Sequence, residues 1–268
     1  VIVRRAVLAV VVVASLFPLY WAVVVASHDN AAMSARVPPL LPGGELGRNV
    51  DAVFEAVDFG AALGNSAIVA STVAVATVLL STLAGFAFAH LRFRGRRVLF
   101  GLVLGSVLVP GQLGVVPLFE LVAGLGWYGR LAAVIVPGLV SAFGVFWMRQ
   151  ACLEAVPCEL VDAAAIDGCS LPRTWWHVVL PAVRSQALVL GAVTFLAAWN
   201  DFLWPLVALD PVESPTVQVA LSHLAGGYFT DYPLVLTGAV LGTLPVVVVF
   251  ALMAGKSLTG LLRGRVNP

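Results

Sequence analysis

Charge is scarce in this 268-residue chain. Only 11% of its residues are Asp, Glu, Lys or Arg, where a soluble domain carries about 25%. That is too little to cover a wetted surface, and the mean hydropathy of +1.00 excludes an ordinary soluble fold. A formal net charge of +1 argues against a nucleic-acid partner. Cysteine is rare as well. The three, Cys152, Cys158 and Cys169, match no metal-ligand spacing and have no paired histidines, so no metal site is expected. The four histidines are scattered (His28, His90, His177, His223). They form no cluster of the kind a membrane enzyme needs, and no catalytic residue is assigned. No G-x-x-x-x-G-K-[ST] loop occurs, so this chain has no such cradle for nucleotide phosphates. There is no internal repeat and no low-complexity tract.

Long apolar runs fill the space that charge leaves. Spans of ~20 residues are expected at Ala6 to Ala26, Gly64 to His90, Val98 to Leu121, Leu131 to Met148, Ala187 to Leu206 and Pro233 to Ala254. The third contains Pro110 and Pro117. The first run is too long for a signal-peptide core and lacks an obvious cleavage site, so it reads as a retained span. Val1 fits either an alternative start or a trimmed end. Between the first two spans lies a connector, His28 to Leu63, with a short amphipathic helix expected at Val50 to Phe59. Six spans put both termini on one side. Twelve of the fifteen Lys and Arg fall on that side, and Arg36, Arg48 and Arg130 fall opposite. The bias orients termini and polar loop toward the cytoplasm. Arg92 to Arg97 serves as a topology determinant, with a lipid-phosphate patch as the alternative. Small residues in the second span (Ala74, Ser81, Gly85) and the sixth (Gly238, Gly242) mark helix contacts.

The polar loop, Glu159 to Pro181, is the most informative stretch. Pro157 suits the opening of a helix, Ala163, Ala164 and Ala165 keep that helix thin, and Gly168 supplies a turn. Ser170 and Pro172 begin a second helix that Pro181 should end. A thin helix held outside the membrane suits a groove on a partner. The cysteines beside it are expected to be reduced thiols, small and semi-buried.

Asp162-Ala163-Ala164, Gly168 and Val178-Val179-Leu180-Pro181 resemble the cytoplasmic EAA loop of permease subunits of bacterial ATP-binding-cassette importers, with Asp where Glu is usual. Further motifs follow in the family's order: Asn65-Ser66, the turn Leu91 to Arg97, Val109-Pro110-Gly111-Gln112, and Trp199 to Leu206. The last, and the ending Gly260 to Val266, are similar to the smaller permease of the carbohydrate branch, with Leu262 and Arg263 as departures.

The resemblance implies an all-α integral membrane protein of the bacterial inner membrane. It has six spans and a cytoplasmic coupling helix between spans four and five. The chain divides into a first span and connector (1–62), a permease core (63–255, the loop at about 150–186) and a cytoplasmic tail (256–268). The implied partners are a second, homologous permease, two ATPase subunits, an extracytoplasmic solute-binding protein and membrane lipid. ATP and Mg are expected on the ATPases, with no cofactor on this chain. ATPase docking falls to Glu159, Asp162, Ala163, Ala164, Asp167 and Gly168, and the tail reaches toward the same subunits. The transport itself is alternating access by rigid-body motion. A solvated face is the plainer reading of Glu159 and Asp162.

Asp201 is expensive within a span and is a candidate for the solute path, together with Asn200 and Gln112. The alternative is a hydrogen-bonded helix-end residue between Trp199 and Trp204. The implied solute is an oligo- or disaccharide, with glycerol phosphate or another non-sugar solute as the runner-up. A different class, an ion-coupled carrier, would want midplane charges and often repeats.

Overall fold

The computed structural model describes residues 2–35, 37–226 and 230–263, without the side chains of residue 2 and of residues 252–263. Arg36, the end of the chain from Gly264, and the side chains of Gly260 to Arg263 in the expected ATPase-reaching tail thus lie outside the described residues. The described chain is helical, and no strand occurs among the described residues. Four helical stretches are long and apolar enough to cross a membrane: Val3–Ala26, Phe59–His90, Ala132–Ala155 and Tyr232–Ala251. Two bent pairs, Arg96–Val107 with Gly111–Gly124 and Leu171–Ala182 with Arg184–Trp199, raise the number to six if each is one span.

The expected third span is therefore not straight. It bends by 95°. Pro110 has no N–H to continue the helix and disfavours helical geometry at Val109, and Gly111–Gly114 forms a 3₁₀ turn there. Pro117 is tolerated in the first turn of Val115–Gly124, where its missing N–H has no intrahelical partner to lose. The amphipathic connector helix runs over Leu46–Ala56, four residues earlier than expected. Asp58 then accepts from Ala61 N–H at 2.9 Å and opens the next helix at Phe59. The second loop helix ends one residue past Pro181, at Ala182. It passes through a π turn over Trp175–Val179, and the 82° bend falls at Val183. Asn200 is the C-cap of the Arg184–Trp199 helix, and a separate short helix follows at Leu203–Ala208, so the fifth span breaks at Asn200 and Asp201.

The chain forms two compact units. One comprises Val1–Gly64 with Pro211–Ala251, the other Asn65–Asp210 with Leu252–Pro268. In the first, Asn49 Nδ2 donates to the carbonyls of Ala26 and His28, each at 2.8 Å, and ties the connector helix to the first span. Gly238 and Gly242 let the last helix approach Leu221, Leu224 and Val217 closely. The first span keeps an apolar surface turned outward, with Val3, Val10 and Val13 each at least two-thirds exposed. Such a surface belongs in lipid or against another membrane chain.

In the second unit, residues 65–90 of the long Phe59–His90 helix lie along Ala132–Ala155. Gly138 abuts Val73, Gly144 abuts Ser81, and Gly85 abuts Met148 and Arg149. Position numbers rise together along both helices, so the two run parallel. His90 and Cys152 consequently meet at one end, with His90 Nε2 3.3 Å from the Cys152 carbonyl. The arginine turn after His90 and the polar loop after Ala155 therefore emerge at the same end, as the charge bias requires. At that end Phe86, Met148, Cys152, Val156, Val179 and Val183 form a buried cluster. A second cluster, with Val69, Val73, Val122 and Leu209, gathers on earlier turns of the same long helix.

Candidate functional site

The polar loop is built outward from the cluster at that end. Pro157 is the N-cap of the Cys158–Ile166 helix. Val161 packs against the buried cluster, and Ala164 is buried. These two lie three residues apart on one face and anchor the helix. Its opposite face is free: Glu159, Asp162, Ala163 and Asp167 are exposed, and Ile166 is 86% exposed. None of the three acids forms an ion pair among the described residues.

Gly168 ends the helix as the sequence requires. Its φ is +76°, a conformation that an L side chain resists. Gly168 N–H donates to the Ala165 carbonyl at 3.0 Å, and Cys169 N–H to Ala164 at 2.9 Å. This pairing satisfies the last carbonyls of the helix. A Cβ added at Gly168 would meet nothing within 4 Å, so the constraint is backbone conformation alone. Gly168→Ala is expected to lower folded stability by about 1 kcal/mol, and Gly168→Asn by less, because Asn tolerates this region better. Thermal unfolding of the purified protein reads the difference.

The loop is coupled to the bundle at three points. Cys158 Sγ lies 3.8 Å from His90 Nδ1, and the other ring nitrogen of His90 meets the Cys152 carbonyl. One imidazole thus touches both the long helix before the loop and the first residue of the exposed helix. On the far side, Trp175, Val179 and Val183 sit in or against the buried cluster, and Trp147 Nε1 donates to the Gln186 carbonyl at 3.2 Å. A push on the Cys158–Ile166 helix therefore passes into packed side chains. All three cysteines are free thiols, Cys152 buried and Cys158 exposed.

Of the six residues expected at this surface, five stand together on the exposed side and Ala164 faces the bundle. Ile166 was not foreseen. Its signal is an aliphatic residue seven positions after Glu159, on the same helix face of an otherwise polar and small surface. Leu160 and Leu171 of the same loop are 47% and 52% exposed.

The solute-path candidates do not converge on this surface or on a single site. Gln112 is exposed in the 3₁₀ turn. Asn200 Nδ2 donates to the Leu196 carbonyl at 2.9 Å, closing its own helix. The Asp201 carboxylate accepts from the backbone N–H groups of Phe202 and Trp204, opening the next one. Trp204 Nε1 donates to the Ala133 carbonyl at 3.0 Å and pins this break to the Ala132–Gly138 helix.

Residues 77–256 match the family described as binding-protein-dependent transport system inner membrane component. The chain is 31% identical over 261 residues to the lactose transport system permease protein LacG of Rhizobium radiobacter, covering 97% of this chain and 94% of that one. It is 34% identical over 204 residues to the arabinooligosaccharides transport system permease protein AraQ of Halalkalibacterium halodurans, covering 76% and 73%. It is 30% identical over 255 residues to the sn-glycerol-3-phosphate transport system permease protein UgpE of Yersinia pestis, covering 92% and 90%. Among solved structures, a bacterial ABC transporter involved in the import of the acidic polysaccharide alginate superposes with a TM-score of 0.82 at 19% identity, covering 95% of both chains.

Proposed function

We propose, from the premise that the chain belongs to the family of binding-protein-dependent transport system inner membrane components, that it is a permease subunit of an ATP-driven importer for an oligosaccharide or disaccharide. The observation that supports this reading most is the exposed face of the Cys158–Ile166 helix, held on a buried cluster but unpartnered in its own chain. In this reading Glu159 and Asp162 meet basic or N–H groups of an ATPase subunit, Ala163 allows close approach, and Ile166 fills an apolar notch. Two ATPase subunits carry the nucleotide and Mg, a second permease completes the path, and an extracytoplasmic binding protein delivers the solute. ATPase closure moves the docked helix. His90 and Trp175 pass the motion to the spans, which open alternately to the two sides as packed bodies. Six spans with cytoplasmic termini complete the proposed topology.

Carbohydrate is favoured over glycerol phosphate by charge. A phosphate solute calls for a cation in its path, and the Phe59–His90 and Tyr232–Ala251 spans contain no Lys or Arg. Arg149 occurs near the loop end, stacked 4.4 Å over the Phe100 ring. For Asn200 and Asp201 the geometry supports the helix-end role, because each side chain reaches a backbone group. The test is uptake into proteoliposomes holding the complete importer with its binding protein. ATP-dependent accumulation of a labelled di- or oligosaccharide, with none of glycerol phosphate, is expected. Accumulation of glycerol phosphate alone would overturn the carbohydrate assignment.

A further inference from the structure

The turn between the Phe59–His90 and Arg96–Val107 helices holds four arginines in six residues, Arg92, Arg94, Arg96 and Arg97. Three of them line a concavity of about 460 Å³ together with Phe93, Gly95 and Val98. None of the four has a carboxylate within ion-pair distance among the described residues. The turn is nonetheless built to one shape. Arg96 Nη1 donates to the Leu91 carbonyl at 3.0 Å, Phe93 packs on Phe88 with ring centroids 5.8 Å apart, and Gly95 takes a φ of +82°. A rigid, uncompensated group of guanidinium forks calls for an anion with several oxygens, which Arg recognises in bidentate fashion.

The surroundings say which anion. Val98, Leu99 and Leu102 are 68%, 48% and 66% exposed and form a stripe at three- and four-residue spacing that leads away from the arginines. Charge at a helix start followed within one turn by exposed aliphatic side chains is complementary to an amphiphile. A free phosphate would have no use for the stripe.

We propose that this turn binds the phosphate headgroup of an anionic phospholipid, its acyl chains lying along Val98, Leu99 and Leu102. The site rests only on the chain's placement in a membrane and is independent of the solute. A topology signal needs the charges but neither the concavity nor the neighbouring stripe.

The test uses the complete importer, delipidated and titrated with phosphatidylglycerol or phosphatidylcholine under native mass spectrometry. Wild type is expected to retain phosphatidylglycerol in preference. Each arginine removed should weaken that retention about five-fold, so Arg92→Gln with Arg97→Gln loses about twenty-five-fold, and Arg4→Gln with Arg5→Gln retains the preference. A second reading needs no variant. Phosphatidylglycerol with a photoreactive acyl chain should label wild type on the Val98 to Leu102 stripe. Equal retention of both lipids, an unchanged preference in the Arg92 and Arg97 variant, displacement by inorganic phosphate, or labelling confined to other spans would each overturn the proposal.

Discussion

Gly85→Val is expected to prevent the second unit from packing. A Cβ built at Gly85 stands 2.7 Å from both the Arg149 nitrogen and the Met148 carbonyl carbon, and 3.0 Å from Met148 Cβ. Two of these atoms are backbone, so no rotamer change relieves the clash and the helices must part. Overfilling a packed contact typically costs about 1–3 kcal/mol. Here even alanine meets backbone, and valine adds two more methyl groups. The cost for valine is therefore about 3 kcal/mol or more. The damage falls where His90 meets Cys152 and the exposed helix is anchored. The expected result is loss of monodisperse protein on size-exclusion chromatography in mild detergent. Gly144→Ala should be milder, because its 2.5 Å neighbour is the Ser81 hydroxyl, which can rotate away. Gly101→Ala, with nothing within 4 Å, should be neutral or stabilise its helix by up to about 1 kcal/mol. Monodisperse Gly85→Val protein of wild-type stability would contradict the packing described.

Ile166→Asp is expected to break the importer while leaving the permease folded. Ile166 is 86% exposed, so its replacement removes almost nothing from the subunit itself. Burial of an isoleucine side chain against a partner contributes about 1.5–3 kcal/mol, a factor of roughly ten to more than a hundred in affinity. An aspartate would also bring an unpaired charge into the contact. ATP-dependent uptake in proteoliposomes should fall at least about ten-fold, with the thermal midpoint unchanged. Ala164→Asp should behave in the opposite order. Ala164 is 7% exposed and faces the bundle, so the charge would be buried in the subunit and thermal stability should fall first. Equal uptake by Ile166→Asp and wild type would place the docking surface elsewhere.

What could be read from the residues alone follows a physical division. Gly168 was legible because a thin alanine helix ending before a glycine is a local signature, and its positive φ is a local property. The long helices were legible because bilayer thickness imposes a run length. The 95° bend at Pro110 was not, because hydropathy runs on through it and only tertiary packing decides whether a proline kinks a helix or breaks it. The helix end at Asn200 and Asp201 was legible only as an alternative to a place on the solute path. Their neighbours are apolar on both sides, while their own side chains close one helix and open the next. Ala163 and Ala164 are identical in sequence, and only the position of the buried cluster shows that one is turned out and the other in. Ile166 was not legible because an aliphatic residue in a helix is ordinarily a core residue. Exposure, which a sequence does not print, identified it.

The docking surface can be tested directly by recovery through a tag on this chain, co-expressed with candidate permease and ATPase partners and weighed intact by native mass spectrometry. One copy of this chain with one second permease and two ATPase subunits is the predicted assembly, and Ile166→Asp should yield the two permeases without the ATPases. Recovery of this chain alone, or as a homo-oligomer that Ile166→Asp leaves unchanged, would contradict the assignment of the Cys158–Ile166 helix to ATPase docking.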